Sequence, residues 1–253
     1  ILQIYNALGS DHLVFNSEFN RNSFFEGVPR FLKKMPDGVP EGLLETLRER
    51  SEVLPVPIDD AWYTGRDSAR SGPLSILWNH RWEYDKAPER FAEALRILHA
   101  MNVDFVVSLV GQAFRKIPES FESIREEFGG RFRHFGFIED AAVYQEILRT
   151  SDVVVSTALH EFQGLSVLEA VASGCYPVVP DRLAYPEYFS SQFRYNSSID
   201  DPICEAQNLA RILENLSSDS AMLRVEIHPE LEKLRWTAMK SRYVALFERA
   251  LGK

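Results

Sequence analysis

Two short stretches carry the residues best suited to chemistry. The first is HEFQGLSVLEA, residues 160–170, in which seven residues separate Glu161 from Glu169. Gln163 and Gly164 form a polar-glycine turn, and an apolar run begins at Leu165. That order reads as a loop opening into a helix, whose first amides, those of Gln163, Gly164, Leu165 and Ser166, lack intrahelical partners. Such amides hold phosphate or sugar oxygens. A carboxylate in the loop accepts bonds from sugar hydroxyls, and one a turn into the helix can accept both hydroxyls of a ribose. Glu161 and Glu169 occupy those two places. Each alone also has a plainer explanation: a capping or loop acid at Glu161, a solvated helix glutamate at Glu169.

The second stretch is NHRWEYDKAPE, residues 79–89, with four residues between Arg81 and Lys86. It follows an apolar run and opens a helical pattern. A helix N-terminus carries roughly half a positive charge, so each cation there is unfavourable by about 0.3–1 kcal/mol. Two of them suggest an anion between them. A diphosphate suits, because amides cradle it while Arg and Lys neutralise it. Surface pairing of Arg81 and Lys86 with Glu83 and Asp85 accounts for them equally well on spacing alone.

The elements that must position these residues alternate. Apolar runs at 74–79, 103–111, 131–137, 152–157 and 176–180 read as strands. Between them, residues 89–101, 118–128, 140–151 and 165–173 have helical period, with Phe91, Leu95 and Leu98 on one face and Asp140 as an N-cap. Strand and helix taking turns implies an α/β fold, a doubly wound parallel sheet with ligands at the carboxyl ends of its strands. Residues 1–58 differ: a strand, a polar turn and a helix, then the proline-punctuated exit VLPVPIDD. TGRDSARSG, residues 64–72, reads as a polar linker, and residues 231–251 as one long amphipathic helix.

Totals exclude several classes. The 253 residues are 45% hydrophobic and 26% charged, enough for a sizeable core. A net charge of −9 disfavours non-specific nucleic-acid binding by the chain as a whole. Cys175 and Cys204 have neither metal-ligand nor disulfide-framework spacing, which points to reduced thiols in a cytoplasmic protein. His80, His134 and His160 lack metal-ligand spacing, so no metal is expected. No apolar run reaches the roughly 20 residues of a membrane span, and no signal peptide is evident. No glycine fingerprint of the G-x-G-x-x-G type follows a strand, which counts against a nicotinamide or flavin enzyme. The abrupt opening ILQIYN leads us to expect a preceding segment.

Arg81-x4-Lys86 after the first strand, Gly136 after a later one, and Glu161-x7-Glu169, in that order, resemble the donor half of the retaining glycosyltransferases of family 4, with the GT-B fold. The resemblance covers about residues 73–190 and extends back through NSEFNRNSFF and VLPVPID. A narrower resemblance, carried by LWNHRWEYDKAPE and FNSEFNRNSFF, is to the tRNA-queuosine mannosyltransferase-like group. It implies a GT-B-type Rossmann-like donor domain over 73–230, a linker at 59–72, a remnant of the acceptor domain over 1–58, and a C-terminal helix, 231–253, packing toward that remnant. It further implies that Arg81 and Lys86 hold the donor diphosphate and stabilise the leaving group, and that Glu161 contacts the transferred sugar. The amides around Gln163, Gly164, Leu165 and Ser166 would hold that sugar and its phosphate, Glu169 the ribose, and Gly136, Phe137 and Ile138 would line the base pocket. Catalytic residues would be Arg81, Lys86 and Glu161. The donor would be a nucleotide-diphosphate sugar such as GDP-mannose, transferred with retention and without a metal, to queuosine-modified tRNA as the acceptor. Most of the acceptor domain would lie before Ile1, leaving open whether this chain turns over alone. A GT-B nucleotide-sugar epimerase and a non-catalytic nucleotide-binding module are the rival readings.

Overall fold

The structure is a computed structural model that describes residues 2–34, 41–65, 72–113, 117–223 and 229–252. Its largest element is a six-stranded sheet built from β3 (Leu74–Trp78), β4 (Phe105–Val110), β5 (Phe132–Gly136), β6 (Val153–Val155), β7 (Tyr176–Pro180) and β8 (Arg194–Tyr195), after the smaller pair β1 (Leu13–Phe15) and β2 (Ser51–Val53). The strand order is β5-β4-β3-β6-β7-β8, and every pairing is parallel. Strands β3, β6 and β7 are buried at every position. Alternate side chains of a strand point to opposite faces, so full burial requires cover on both faces, and this is why these strands read as apolar runs, interrupted only by Ser75 in β3.

That cover comes from helices. Those of the first 58 residues are α1 (Leu2–Leu8), α2 (Glu18–Leu32) and α3 (Leu43–Glu49). Around the large sheet lie α4 (Pro88–Ala100), α5 (Ser120–Phe128), α6 (Ala141–Thr150), α7 (Leu165–Ala172), α8 (Tyr185–Tyr188) and α9 (Pro202–Ser218), followed by α10 (Pro229–Glu232) and α11 (Trp236–Ala250). Helix α4 packs with α5 and α9, whereas α6 packs with α7. Phe91, Leu95 and Leu98 of α4 are all fully buried, as their spacing predicts. The Asp140 carboxylate caps α6, accepting from the amides of Ala142 at 2.8 Å and Val143 at 3.2 Å.

Two apolar clusters form. The larger fills the six-stranded sheet and its helices and takes in Leu54, Ile58, Leu231, Leu234 and Met239; the smaller joins Ala7, Phe25 and Leu47 beside β1 and β2. The end of the chain returns to the first segment. Tyr243 Oη of α11 donates to Pro55 O at 3.0 Å, and an Arg242 nitrogen donates to Val53 O at 3.0 Å.

One expectation is corrected here. Residues 231–251 are not a single helix: α10 ends at Glu232 and α11 starts at Trp236. Between them Leu234 O accepts from Ile58 N at 2.8 Å, and Trp236 N donates to Ile58 O at 2.9 Å, forming a parallel bridge between Ile58 and Arg235. The guanidinium of Arg235 also lies 3.6 Å from the Tyr63 ring centroid. Pairing with a distant segment overrides local helical period. Helix α3 and the two-residue β8 were not anticipated, and residues 66–71 of the expected linker lie outside the described residues.

Candidate functional site

Strand β3 sits mid-sheet. The chain moves outward from it through β4 and β5, then restarts on its other flank with β6. A crevice opens at the carboxyl ends where the strand order reverses, the place where open α/β sheets bind ligands. The two stretches singled out in the sequence are the loops that leave β3 and β6. They are sewn together: Leu159 N and His160 N donate to Asp85 O at 2.7 and 3.3 Å, and Thr157 Oγ1 donates to Lys86 O at 2.7 Å. Ala87, next in line, adopts a left-handed conformation (φ 46°) ahead of Pro88. Pro88 disfavours the right-handed helical region for its predecessor, and the left-handed one costs a non-glycine residue about 1 kcal/mol or more.

Lys86 is 5% exposed. Its Nζ donates to His160 O at 2.6 Å and lies 3.1 Å from Asp85 Oδ2 and 3.4 Å from Glu161 Oε2. The surface pair with Asp85 foreseen from spacing thus exists, but it is not at the surface and it extends to Glu161. Burial pushes the Glu161 carboxyl up; the charge of Lys86, the His80 ring and the amides of Gly164 and Gln163 outweigh it and hold the group below its ordinary value. Gly164 (φ 80°) is required here, since a Cβ would meet Tyr185 Cε1 at 2.9 Å.

A second buried cation group supports the loop from beneath. Arg182 donates to Ala158 O at 2.9 Å and Thr157 O at 3.1 Å, Arg90 donates to Ile199 O at 2.8 Å, and both pair with the buried Glu205. These arginines bind carbonyls of the loop after β6 and of the segment before α9, so their role is to hold backbone.

Glu169 meets a different environment. Burial alone pushes its carboxyl up to about 7. Nearby, Asn79 Nδ2 donates to Ser166 O at 2.8 Å and to Tyr144 Oη at 3.1 Å. A carbonyl only accepts, so the amide orientation of Asn79 is fixed, with Oδ1 as the outward acceptor. Burial pushes the Tyr144 hydroxyl upward, and the charge of Glu169 adds to that. His80, buried and edge-on to Trp78, is lowered to about 4, first by burial and then by Lys86, so it is neutral at pH 7. Neither Asn79 Oδ1 nor His80 Nε2 has a hydrogen-bond partner among the described residues. Both residues line a cleft of about 210 Å³ with Arg81, Gly111, Gln112, Phe137, Ile138 and Tyr144. Gly111 permits this, because a Cβ there would collide with the His80 carbonyl.

The expected residues therefore fall into two adjoining groups. Lys86, Glu161 and the amides of Gln163 and Gly164 form one. Arg81, Phe137 and Ile138 line the cleft, with Gly136 O accepting from Gly111 N at 3.2 Å behind them. Arg81 keeps its surface partner, Glu83 Oε2 at 3.2 Å, while Phe137 is 61% exposed. The amides of Gln163 and Gly164 already serve the Glu161 carboxylate, which leaves those of Leu165 and Ser166 as the open end of α7, whose first internal bond is Leu168 N to Gly164 O at 3.0 Å. Asn79, His80, Tyr144 and Arg182 were missed. The only local signal was the polar pair Asn79-His80 at the end of a buried strand. Among the described residues no cluster of His, Cys, Asp or Glu is placed to hold a metal, and no helix is long and apolar enough to cross a membrane.

Comparison with known proteins adds the following. Residues 66–230 match the family described as glycosyl transferases group 1, and residues 1–58 match tRNA-queuosine alpha-mannosyltransferase N-terminal. The tRNA-queuosine alpha-mannosyltransferase of Drosophila melanogaster is 37% identical over 205 residues, which cover 78% of this chain and 54% of that protein. This chain thus spans about half the length of that relative. Among solved structures, sucrose-phosphate synthase from Thermosynechococcus elongatus superposes with a TM-score of 0.75 at 17% identity, over 99% of this chain and 61% of that one. The pneumococcal O-GlcNAc transferase GtfA, in complex with UDP and GlcNAc, gives 0.73 at 16% identity, over 100% and 47%. At such identities the likeness is one of fold, and that fold is the GT-B type expected from the sequence.

Proposed function

Because this chain belongs to the glycosyl transferases of group 1, we propose that its crevice binds a nucleotide-diphosphate sugar, with GDP-mannose as the donor. In this reading the hexose is transferred with retention of configuration and the acceptor is queuosine in tRNA. Arg81 and Lys86 neutralise the diphosphate, Glu161 accepts from hydroxyls of the sugar, and Glu169 accepts from the ribose. The amides of Leu165 and Ser166 lie between the two acids and face the phosphate, and Phe137 and Ile138 flank the base. As the anomeric carbon parts from the phosphate oxygen, charge grows on the leaving diphosphate, and cations already in place stabilise it without reorganisation.

The observation that carries the reading is the meeting of Lys86 and Glu161, 75 residues apart in sequence, at the point where the strand order reverses. The acceptor rests on a different footing, the likeness to the Drosophila protein and the match of residues 1–58. A chain of net charge −9 offers a polyanion no general attraction.

Calorimetric titration with GDP, UDP and ADP, with Glu169→Ala as control, tests the donor. We expect GDP to bind most tightly and the substitution to weaken it about tenfold, the worth of a charged hydrogen bond to ribose. Equal binding of all three nucleotides would remove guanosine from the proposal. Binding that Glu169→Ala leaves unchanged would remove the ribose role.

A further inference from the structure

Glu161 is bound by its own loop: Oε1 accepts from Phe162 N at 3.1 Å, and the amides of Gln163 and Gly164 bear on it. Its position therefore depends on what anchors that loop. One anchor is Lys86, through His160 O. The next two come from the first 58 residues. Ser17 Oγ, wholly buried, donates to Phe162 O at 2.5 Å. The side-chain amide of Gln163, 3% exposed, accepts from Val56 N at 2.9 Å and donates to Val56 O at 2.8 Å. Only a group that donates and accepts at once can pair with both backbone atoms of Val56.

The start of α2 is itself fixed against the large sheet's loops. Ser17 Oγ accepts from Asn20 N at 3.0 Å, and the Glu187 carboxylate accepts from Glu18 N and Phe19 N at 3.0 and 2.7 Å. Among the described residues no such hydrogen bond from the first 58 residues reaches the other half of the crevice. There Ser166 O is held by Asn79, and Asn79 by Tyr144, while residues 61–62 brace the helices behind them: Gln145 donates to Ala61 O at 2.8 Å, Ser173 donates to Trp62 O at 3.1 Å, and Trp62 meets the Tyr144 ring edge-on.

We propose that Ser17 and Gln163 are positioning residues for the Glu161 carboxylate, so that the first 58 residues set the sugar subsite while the nucleotide subsite is set without them, by the large sheet, its helices and residues 61–62. This rests on reading Glu161 as the contact to the donor sugar. Sugar-dependent affinity is then separable from nucleotide affinity by substitutions that touch no ligand.

The test is calorimetric titration of the 253-residue chain with GDP-mannose and with GDP, for Gln163→Met, Ser17→Ala and Glu161→Gln. Gln163→Met and Ser17→Ala should each weaken GDP-mannose about tenfold, the net worth of one or two hydrogen bonds, and leave GDP within about twofold. A parallel loss for both ligands, or undiminished GDP-mannose binding, overturns the proposal; a purely structural role would lower the melting temperature and both affinities together. If Gln163→Met does not fold, Ser17→Ala decides, since it removes a single hydroxyl. Glu161→Gln separates the two levels. If it weakens GDP-mannose alone and the other two do not, the positioning role falls and the site stands. If it fails to distinguish the two ligands, the reading of Glu161 falls and takes the proposal with it.

Discussion

Glu161 and Glu169 lie on one loop-helix unit, yet their carboxyls are driven in opposite directions. Burial raises both; at Glu161 the Lys86 charge, His80 and loop amides reverse the effect, whereas at Glu169 burial stands alone and the group reaches about 7. The lesson concerns which charge each half of the crevice expects from a ligand. The Lys86 side has a carboxylate already matched by a cation. The Glu169 side has an acid whose ionisation is opposed by burial and would be favoured by groups that donate to it, as two ribose hydroxyls would.

Lys86→Met is the strongest way to break that difference. With the cation gone, burial prevails at Glu161 and its carboxyl should move upward, as Glu169 does. We expect a loss on the order of 3 kcal/mol of stability at neutral pH, from carboxylates left buried without their partner, and about a thousandfold loss of transfer by the full-length protein. The stability deficit should fade as pH falls below the usual 4.5, where Glu161 takes up a proton. Urea midpoints across pH, with NMR titration of the Glu161 carboxyl, would measure both; a carboxyl that stays depressed would show that Lys86 is not the cause.

Next in size is the pH response of Glu169. With its carboxyl near 7, the ionised fraction falls about tenfold from pH 8 to pH 6, and nucleotide affinity should follow. In Glu169→Gln that slope should vanish. The same variant sharpens the contrast through stability. Between pH 4.5 and about 7 the folded protein holds a proton that the unfolded chain has released, so stability falls as pH rises through that window. Glu169→Gln should therefore be more stable than the parent at pH 8 by about 2 kcal/mol, less than the full shift because the group keeps some water, and equal to it near pH 4. Thermal unfolding at the two pH values reads this directly.

The smallest effect concerns Tyr144, whose hydroxyl accepts from Asn79. Tyr144→Phe should cost about 1 kcal/mol, since Asn79 keeps Ser166 O, and leave GDP-mannose and GDP affinities in unchanged ratio. A change in that ratio would mean that the two halves of the crevice are not independent.

Much of this was legible in the sequence, for physical reasons. Full burial of β3, β6 and β7 writes them as predominantly apolar runs, and Phe91, Leu95 and Leu98 announce the buried face of α4. Lys86 and Glu161 stood out because charge beside a helix start is informative about ligands. Asn79, Tyr144 and Arg182 were not legible, because each acts through a partner remote in sequence: Asn79 and Ser166 lie 87 residues apart, and Arg182 and Thr157 lie 25 apart. Nor could the spacing show that Gln163 spends its side chain on Val56. The break between α10 and α11 has the same origin: LEKLRW keeps helical period, and only the distant Ile58 interrupts it.

That break has a mechanical side. The chain passes between the small β1–β2 segment and the large sheet near Ile58, and passes back at Leu234–Trp236, with the two passages hydrogen-bonded side by side. A single tether would let the segments swivel freely. Two passages bonded to each other couple the segments more firmly than either would alone. A shift of either passage is therefore felt by the other, and Trp236, at the foot of α11, is bonded into the pair through Ile58 O.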